Sequence, residues 1–269
     1  MAHAFPLIDT AHCIALEGAD ARRFAQAQFS GDVSALLPGH WQWNAWLTAQ
    51  GRVHALMHLV DAADGRLLAV LRGGGDAETL RAALARYLLR LRVAVTVETF
   101  TACSGDPVPT GTAKREADAF VLGYGNRSLR LGTLSGGPPD TDAQHRWRLA
   151  DIRAGWPRLP TGEPEFLPPA IGLARLGAVA YDKGCYPGQE IAARLRYRGG
   201  HKWRLARLQG CAPLPVGEIR TASGSPAVWI LDLVPVGGRF EALATVHVGQ
   251  SSEINLLGNI YTVQSTFDV

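Results

Sequence analysis

VHALMHLVDAADGRLLAVL, residues 53–71, decides the fold class. Val53, Ala55, Met57 and Leu59 alternate with Arg52, His54 and His58, the two-residue period of a half-buried strand. DAADG (61–65) then supplies a turn and RLLAVL (66–71) a second apolar run, so the pair predicts a β-hairpin. Asp76 opens a helical stretch in which Leu80, Ala83, Leu84, Tyr87, Leu88 and Leu91 form one apolar stripe. VAVTVETF (93–100) reads as a further strand. Strand, strand, helix, strand across roughly residues 47–100 predicts a ferredoxin-like α+β unit.

Upstream, Gly18-Ala19-Asp20 before ARRFAQAQF predicts a short helix capped by Asp20, with breaks at Gly31-Asp32 and Pro38-Gly39. Downstream, Thr101 to Ala117 is rich in Gly, Pro, Ser and Thr and reads as a connector. FVLGYG (120–125) and SLRLGTL (128–134) read as short strands, GGPPDTD (136–142) as a loop and QHRWRLADIRAG (144–155) as a helix. After Gly199-Gly200 the helical period is lost. WRLARLQG, AVWILDLVP, EALATVHVG and INLLGNIYTVQ are turn-punctuated strands, the pattern of a small β-barrel or sandwich.

Composition narrows the class. The chain has 269 residues, is 47% hydrophobic and contains no apolar run near the roughly 18 residues that span a bilayer. Its first twenty residues lack the basic and apolar regions of a secretory signal, so the expectation is a cytoplasmic protein with no membrane partner. Cys13, Cys103, Cys185 and Cys211 are far apart with no C-x-x-C pair, which argues against a metal site and for free thiols. His54 and His58, four residues apart on a strand and thus about 13 Å apart, cannot share an ion. Gly73-Gly74-Gly75-Asp76 lacks the Lys-Ser/Thr of a phosphate loop and reads as a turn into a helix cap. Charge is uneven: between residues 175 and 207, eight Lys and Arg face only Asp182 and Glu190, a surplus of six on a chain of net charge +3.

Within that basic region lies KGCYPGQE, residues 183–190. Pro187 stands where a first helical residue would, and GQEIAARLR continues at helical spacing. Cys185 would then lie at a positive helix end, beside Lys183 and the cationic run, all of which favour a thiolate. The alternative is a buried structural thiol in a Tyr-Pro-Gly turn. RLRYRGGHKWRLAR (194–207) interleaves Arg196, Arg198, Lys202 and Arg204 with Tyr197 and Trp203, which suits phosphates, carboxylates or RNA, or else is a solvated face.

KGCYPGQE resembles the K-G-C-Y-x-G-Q-E signature of the YgfZ family, relatives of the glycine-cleavage T-protein (GcvT, aminomethyltransferase). Trp147 with LADIRAGWP, EFLPPAIGL (165–173), QFSGDVSAL (28–36), TAQGRV (48–53) and RYRGGHKWRL (196–205) resemble further family segments. The resemblance implies an α+β, GcvT-like ring of three domains. These are a discontinuous folate-binding domain (1–46 plus 118–198), a ferredoxin-like domain with linker (47–117) and a C-terminal β-barrel (199–269). It implies tetrahydrofolate or another reduced folate as cofactor, iron–sulfur client enzymes, and an indirect connection to tRNA thiolation. It implies Cys185 as the functional thiol beside Lys183, with Trp147, Tyr186, Gln189, Glu190, Arg198 and Lys202 at the cofactor. The stretch GRVHALM carries no acid where the aminomethyltransferase has one, so that activity ranks second. A non-catalytic RNA- or protein-binding module is the third expectation. Pro168-Pro169 and Gly172 stand where the family has Pro-Gln and Asn, and DTAHCIAL offers only Ala11 and His12 where an aromatic residue is usual.

Overall fold

Strand β1 (Leu7–Glu17) carries small or apolar residues on both faces, Cys13 and Ala15 on one and Ile14 and Leu16 on the other, all fully buried. Such a strand belongs in the middle of a sheet covered on both sides. The computed structural model, which describes residues 5–116, 119–133, 138–162, 166–220, 226–249 and 251–267, places it there. After β1 come α1 (Ala21–Gln28), β2 (Trp41–Leu47), β3 (Val53–Asp61), β4 (Arg66–Gly74), α2 (Ala77–Ala85) and β5 (Ala94–Gly105), then β6 (Ala113–Glu116), β7 (Ala119–Gly123) and β8 (Ser128–Gly132). These eight strands form one antiparallel sheet in the order β2-β3-β4-β1-β5-β8-β7-β6. Ile14 and Leu16 pack with Phe24 of α1 and Leu80 and Leu84 of α2. Cys13 and Ala15 face a second core containing Trp147 and Ile152 of α3 (Thr141–Ala154).

The hairpin forms as its alternation requires, with β3 paired to β4 from Met57 opposite Leu71 to Asp61 opposite Leu67. The segment β4-α2-β5 is a split unit, since β1 lies between β4 and β5 and pairs with both. Asp76 caps α2 by accepting from the Thr79 amide at 3.0 Å. Three local expectations are corrected. The apolar stripe does not keep α2 helical to Leu91: the helix ends at Ala85 and tight turns lead to Arg90, whose φ is 59°. Asp20 does not cap α1, because its carboxylate accepts instead from the Arg92 amide at 2.9 Å. The connector is partly strand, since Thr101–Gly105 of β5 pairs with β8 and Ala113–Glu116 pairs with β7. The expected cut between residues 46 and 47 falls inside β2, a strand that no pattern above singled out.

α4 (Gln189–Arg198) leads into β9 (Trp203–Gly210), β10 (Gly217–Arg220), β11 (Pro226–Val236), β12 (Arg239–His247), β13 (Glu253–Leu256) and β14 (Asn259–Thr266). They form a second sheet, ordered β10-β11-β12-β9-β14-β13. Ile219 of one edge strand and Ile254 of the other share one core with Val228, Ala244 and Tyr261, so the sheet curls on itself. Among the described residues no helix is long and apolar enough to cross a membrane.

Between β2, β3 and α3 the core is a cluster of rings rather than aliphatic side chains. Trp41, Trp43, His58, Tyr124, Trp147 and Trp156 stack or meet edge to face, with centroids 4.2–6.4 Å apart. Buried Arg72 and Arg127 both bond Asp151, at 2.8 and 2.5 Å, and the Arg127 guanidinium lies 4.1 Å over the Trp147 ring. Asp151→Asn therefore strands two buried cations, and urea unfolding is expected to show a loss of about 3–5 kcal/mol.

His58 is fully buried, and its Nδ1 and the Tyr124 hydroxyl share a 2.7 Å hydrogen bond. Burial first, then the charges of Arg72, Arg158 and Arg127, hold this imidazole well below its usual pKa. Below about pH 6.5 the unfolded chain takes up a proton that the folded ring refuses, so folded stability falls as pH falls. Denaturant unfolding between pH 7 and 5 is expected to show this as about 1.4 kcal/mol per pH unit of excess loss over His58→Gln.

Candidate functional site

The loop 183–190 is built by three side chains that turn back on the backbone. Lys183 Nζ donates to the carbonyls of Gln26, Phe29 and Gly31 at 2.7, 2.6 and 2.8 Å. Gln26 lies in the last turn of α1, and its usual helical donor, the Ser30 amide, is bonded to Ala45 instead. The ammonium thus satisfies carbonyls that the end of the helix leaves open. Burial lowers the Lys183 pKa to about 8. Tyr186 is buried and its hydroxyl donates to the Ala180 carbonyl at 2.8 Å, while Gln189 Nε2 donates to the Lys183 carbonyl at 3.1 Å.

α4 follows, but its first helical residue is Gln189 rather than the expected Pro187: Gly188 is the N-cap, at φ 75°. A Cβ on Gly188 would sit 2.5 Å from the Thr48 carbonyl and 2.9 Å from Gly51 Cα, and one on Gly51 would strike Ile191 at 2.7 Å. The loop after β2 and the start of α4 therefore meet backbone to backbone, and only glycine fits on either side. Cys185 is held between these fixed points as a free, exposed thiol. Cys13, by contrast, is buried, and burial pushes its thiol pKa far up.

Beside this junction opens a cavity of about 490 Å³. Its walls come from Arg52, one residue beyond Gly51; from Phe166, Leu167 and Ala170; from Gly200 to Trp203; and from Trp229 and Glu218 of the second sheet. Phe166 and Trp229 meet edge to face at 5.2 Å. Trp229 Nε1 and His201 Nε2 are buried with no hydrogen-bond partner among the described residues. Hence the walls offer flat apolar surface, the cations Arg52 and Lys202, open polar atoms and one acid, Glu218, which is paired with Arg220.

Of the expected cofactor residues, Lys202 lines this cavity. Glu190 and Arg198 are exposed on α4, and Tyr186 and Gln189 shape the loop. Trp147 is 4% exposed in the aromatic cluster and borders a different cavity of about 310 Å³, together with Asp9, Arg148, Arg158 and Asp232. Sequence reasoning passed over Arg52, Phe166, His201 and Trp229 as ligand contacts. One signal was present for Trp229: it alternates with buried Val228 and Ile230, so it faces away from its own sheet's core.

No family model matches the chain. The tRNA-modifying protein YgfZ of Vibrio vulnificus is 26% identical over 236 residues, covering 77% of this chain and 70% of its own. An uncharacterized protein of Haemophilus influenzae is 28% identical over 197 residues, covering 70% and 67%. YgfZ of Sodalis glossinidius is 26% identical over 238 residues. The glycine cleavage system aminomethyltransferase T of Bartonella henselae superposes on 98% of this chain and 85% of its own with a TM-score of 0.67, at 14% identity. The chain is similar to these YgfZ proteins over about three quarters of its length. Its fold is that of GcvT, with strands dominant and few helices. The segment 183–190 touches both 28–36 and 48–53: Lys183 bonds the first and Gly188 packs on the second.

Lys183→Met removes three charged hydrogen bonds and leaves carbonyls unpaired, so chemical denaturation is expected to show a loss of about 2–4 kcal/mol. Lys183→Arg is expected not to restore it, because a planar guanidinium cannot splay its donors over three converging carbonyls.

Proposed function

We propose that this YgfZ-like chain is a reduced-folate-binding accessory protein of tRNA modification. In this proposal it holds the folate in the 490 Å³ cavity and presents the Cys185 thiol for the upkeep of iron–sulfur enzymes. One observation carries the proposal: segments remote in sequence, Arg52, Phe166–Ala170 and Gly200–Trp203, converge on one cavity next to the loop that fixes Cys185. The names of the relatives, tRNA-modifying protein and aminomethyltransferase, supply the functional context.

The donor set fits a folate. Trp203, Trp229 and Phe166 offer surfaces to the pterin and benzoyl rings, Arg52 and Lys202 suit the glutamate carboxylates, and the Trp229 indole N–H awaits an acceptor. A bound reduced folate would supply a one-carbon carrier and a reduced pterin ring. The chain's own part is to bind and orient it, and to keep the thiol exposed in a fixed place. Trp147, packed under Arg127, holds the frame in this proposal rather than stacking on the ligand.

Calorimetric titration with tetrahydrofolate and 5-formyltetrahydrofolate is expected to give saturable binding that Trp229→Ala weakens by about 1–3 kcal/mol. Trp147→Ala is expected to lower unfolding stability by about 3–5 kcal/mol. Unchanged affinity in Trp229→Ala would remove the ligand from this cavity. Cys185→Ser is expected to keep folate binding and to fail to restore tRNA thiolation in a strain lacking its YgfZ. Full restoration by that variant would sink the thiol role.

A further inference from the structure

α4 is amphipathic, and its outer face holds cations with no acid paired to them and a largely exposed ring. Ile191 and Ala192 turn inward, the former onto Gly51. Arg194, Tyr197 and Arg198, at i, i+3 and i+4, share the outer face. Tyr197 is 75% exposed. Arg196 leans over the Tyr181 ring at 5.7 Å, and Tyr181 meets Tyr197 edge to face at 6.3 Å.

Several arginines elsewhere are matched by acids: Arg66 with Glu98, Arg72 and Arg127 with Asp151, Arg148 with Asp232, Arg153 with Glu241. Arg194, Arg196, Arg198 and Lys202 form no ion pair among the described residues, although Glu190 stands one turn from Arg194 on the same face. Residues 175–207 carry eight Lys and Arg against Asp182 and Glu190, and four of those cations stand unpaired along α4 and the turn after it. The strip starts next to exposed Cys185 and ends at Lys202 on the cavity rim. A row of unmatched guanidinium groups attracts a phosphate backbone, and an exposed phenol ring in the row offers a platform to an unstacked base.

We infer that the exposed side of α4 is a docking strip for single-stranded RNA, with Arg194 and Arg198 on phosphates along the face they share, Arg196 on its Tyr181 flank, and Tyr197 under a base. RNA bound there lies directly over the Cys185 loop. The inference does not rest on folate binding, and its test contains no folate.

The test is fluorescence anisotropy with a labelled 12-nucleotide single-stranded RNA, titrated at several salt concentrations. Wild-type protein is expected to bind with a steep salt dependence. R194Q/R196Q/R198Q, whose changes lie on an exposed face and whose folding is checked by circular dichroism, is expected to reduce the log–log salt slope by about 2. Tyr197→Ala is expected to weaken binding about tenfold with the slope unchanged. R146Q/R239Q, at exposed positions on α3 and β12, is the control and is expected to bind as wild type. Absence of binding at 50 mM salt, or an unchanged dissociation constant in the triple variant, would overturn the inference. So would an equal loss in this control, since binding would then be spread over the whole surface.

Discussion

A single ammonium group ties the Cys185 loop to the end of the first helix. Lys183 reaches 157 residues back in sequence to the Gln26 carbonyl and, with Phe29 and Gly31, ends α1 in place of a local cap. The same carbonyls that would otherwise need water fix the position of Cys185. Because the three acceptors converge on one point, the fit suits a compact ammonium on a flexible stem. Helix termination and site construction are thus one event, and neither is complete without the other.

The contact of Gly188 with Gly51 adds a second constraint of a different kind. It carries no charge and no directed bond, and it works by exclusion, since any Cβ would push the hairpin and α4 apart. Arg52 follows Gly51 into the cavity wall, so the spacing of loop and cavity is set by two glycines. α4 spans about 15 Å over its ten residues between the Cys185 loop and the Gly200 to Trp203 part of the cavity wall.

Much of this was legible beforehand where local chemistry decides. The hairpin 53–71 was readable from its period, α2 from Asp76, and α4 from the pattern after Pro187, because each signal acts within a few residues. What failed did so where a distant partner won. Asp20 had a cap's chemistry but found the Arg92 amide. Thr101–Gly105 had a loop's composition but lay beside β8. At the site, Lys183 and Cys185 stood together in sequence, yet the lysine's donors go to α1. Trp147, expected at the cofactor, has Arg127 and Tyr124 around it, which no short motif encodes.

The central place of β1 has a consequence for the order of assembly. Cys13 lies opposite Val70 on one neighbour and Glu98 on the other, so the first strand made waits for both to emerge during synthesis. Until then its inner edge stays open and its thiol accessible, in a chain whose most non-local pairing involves its earliest residues. Once β5 closes the gap, the sulfur is sealed from both sides of the sheet. Cys13 is therefore shielded only by an arrangement in which β4 and β5 have both paired with β1.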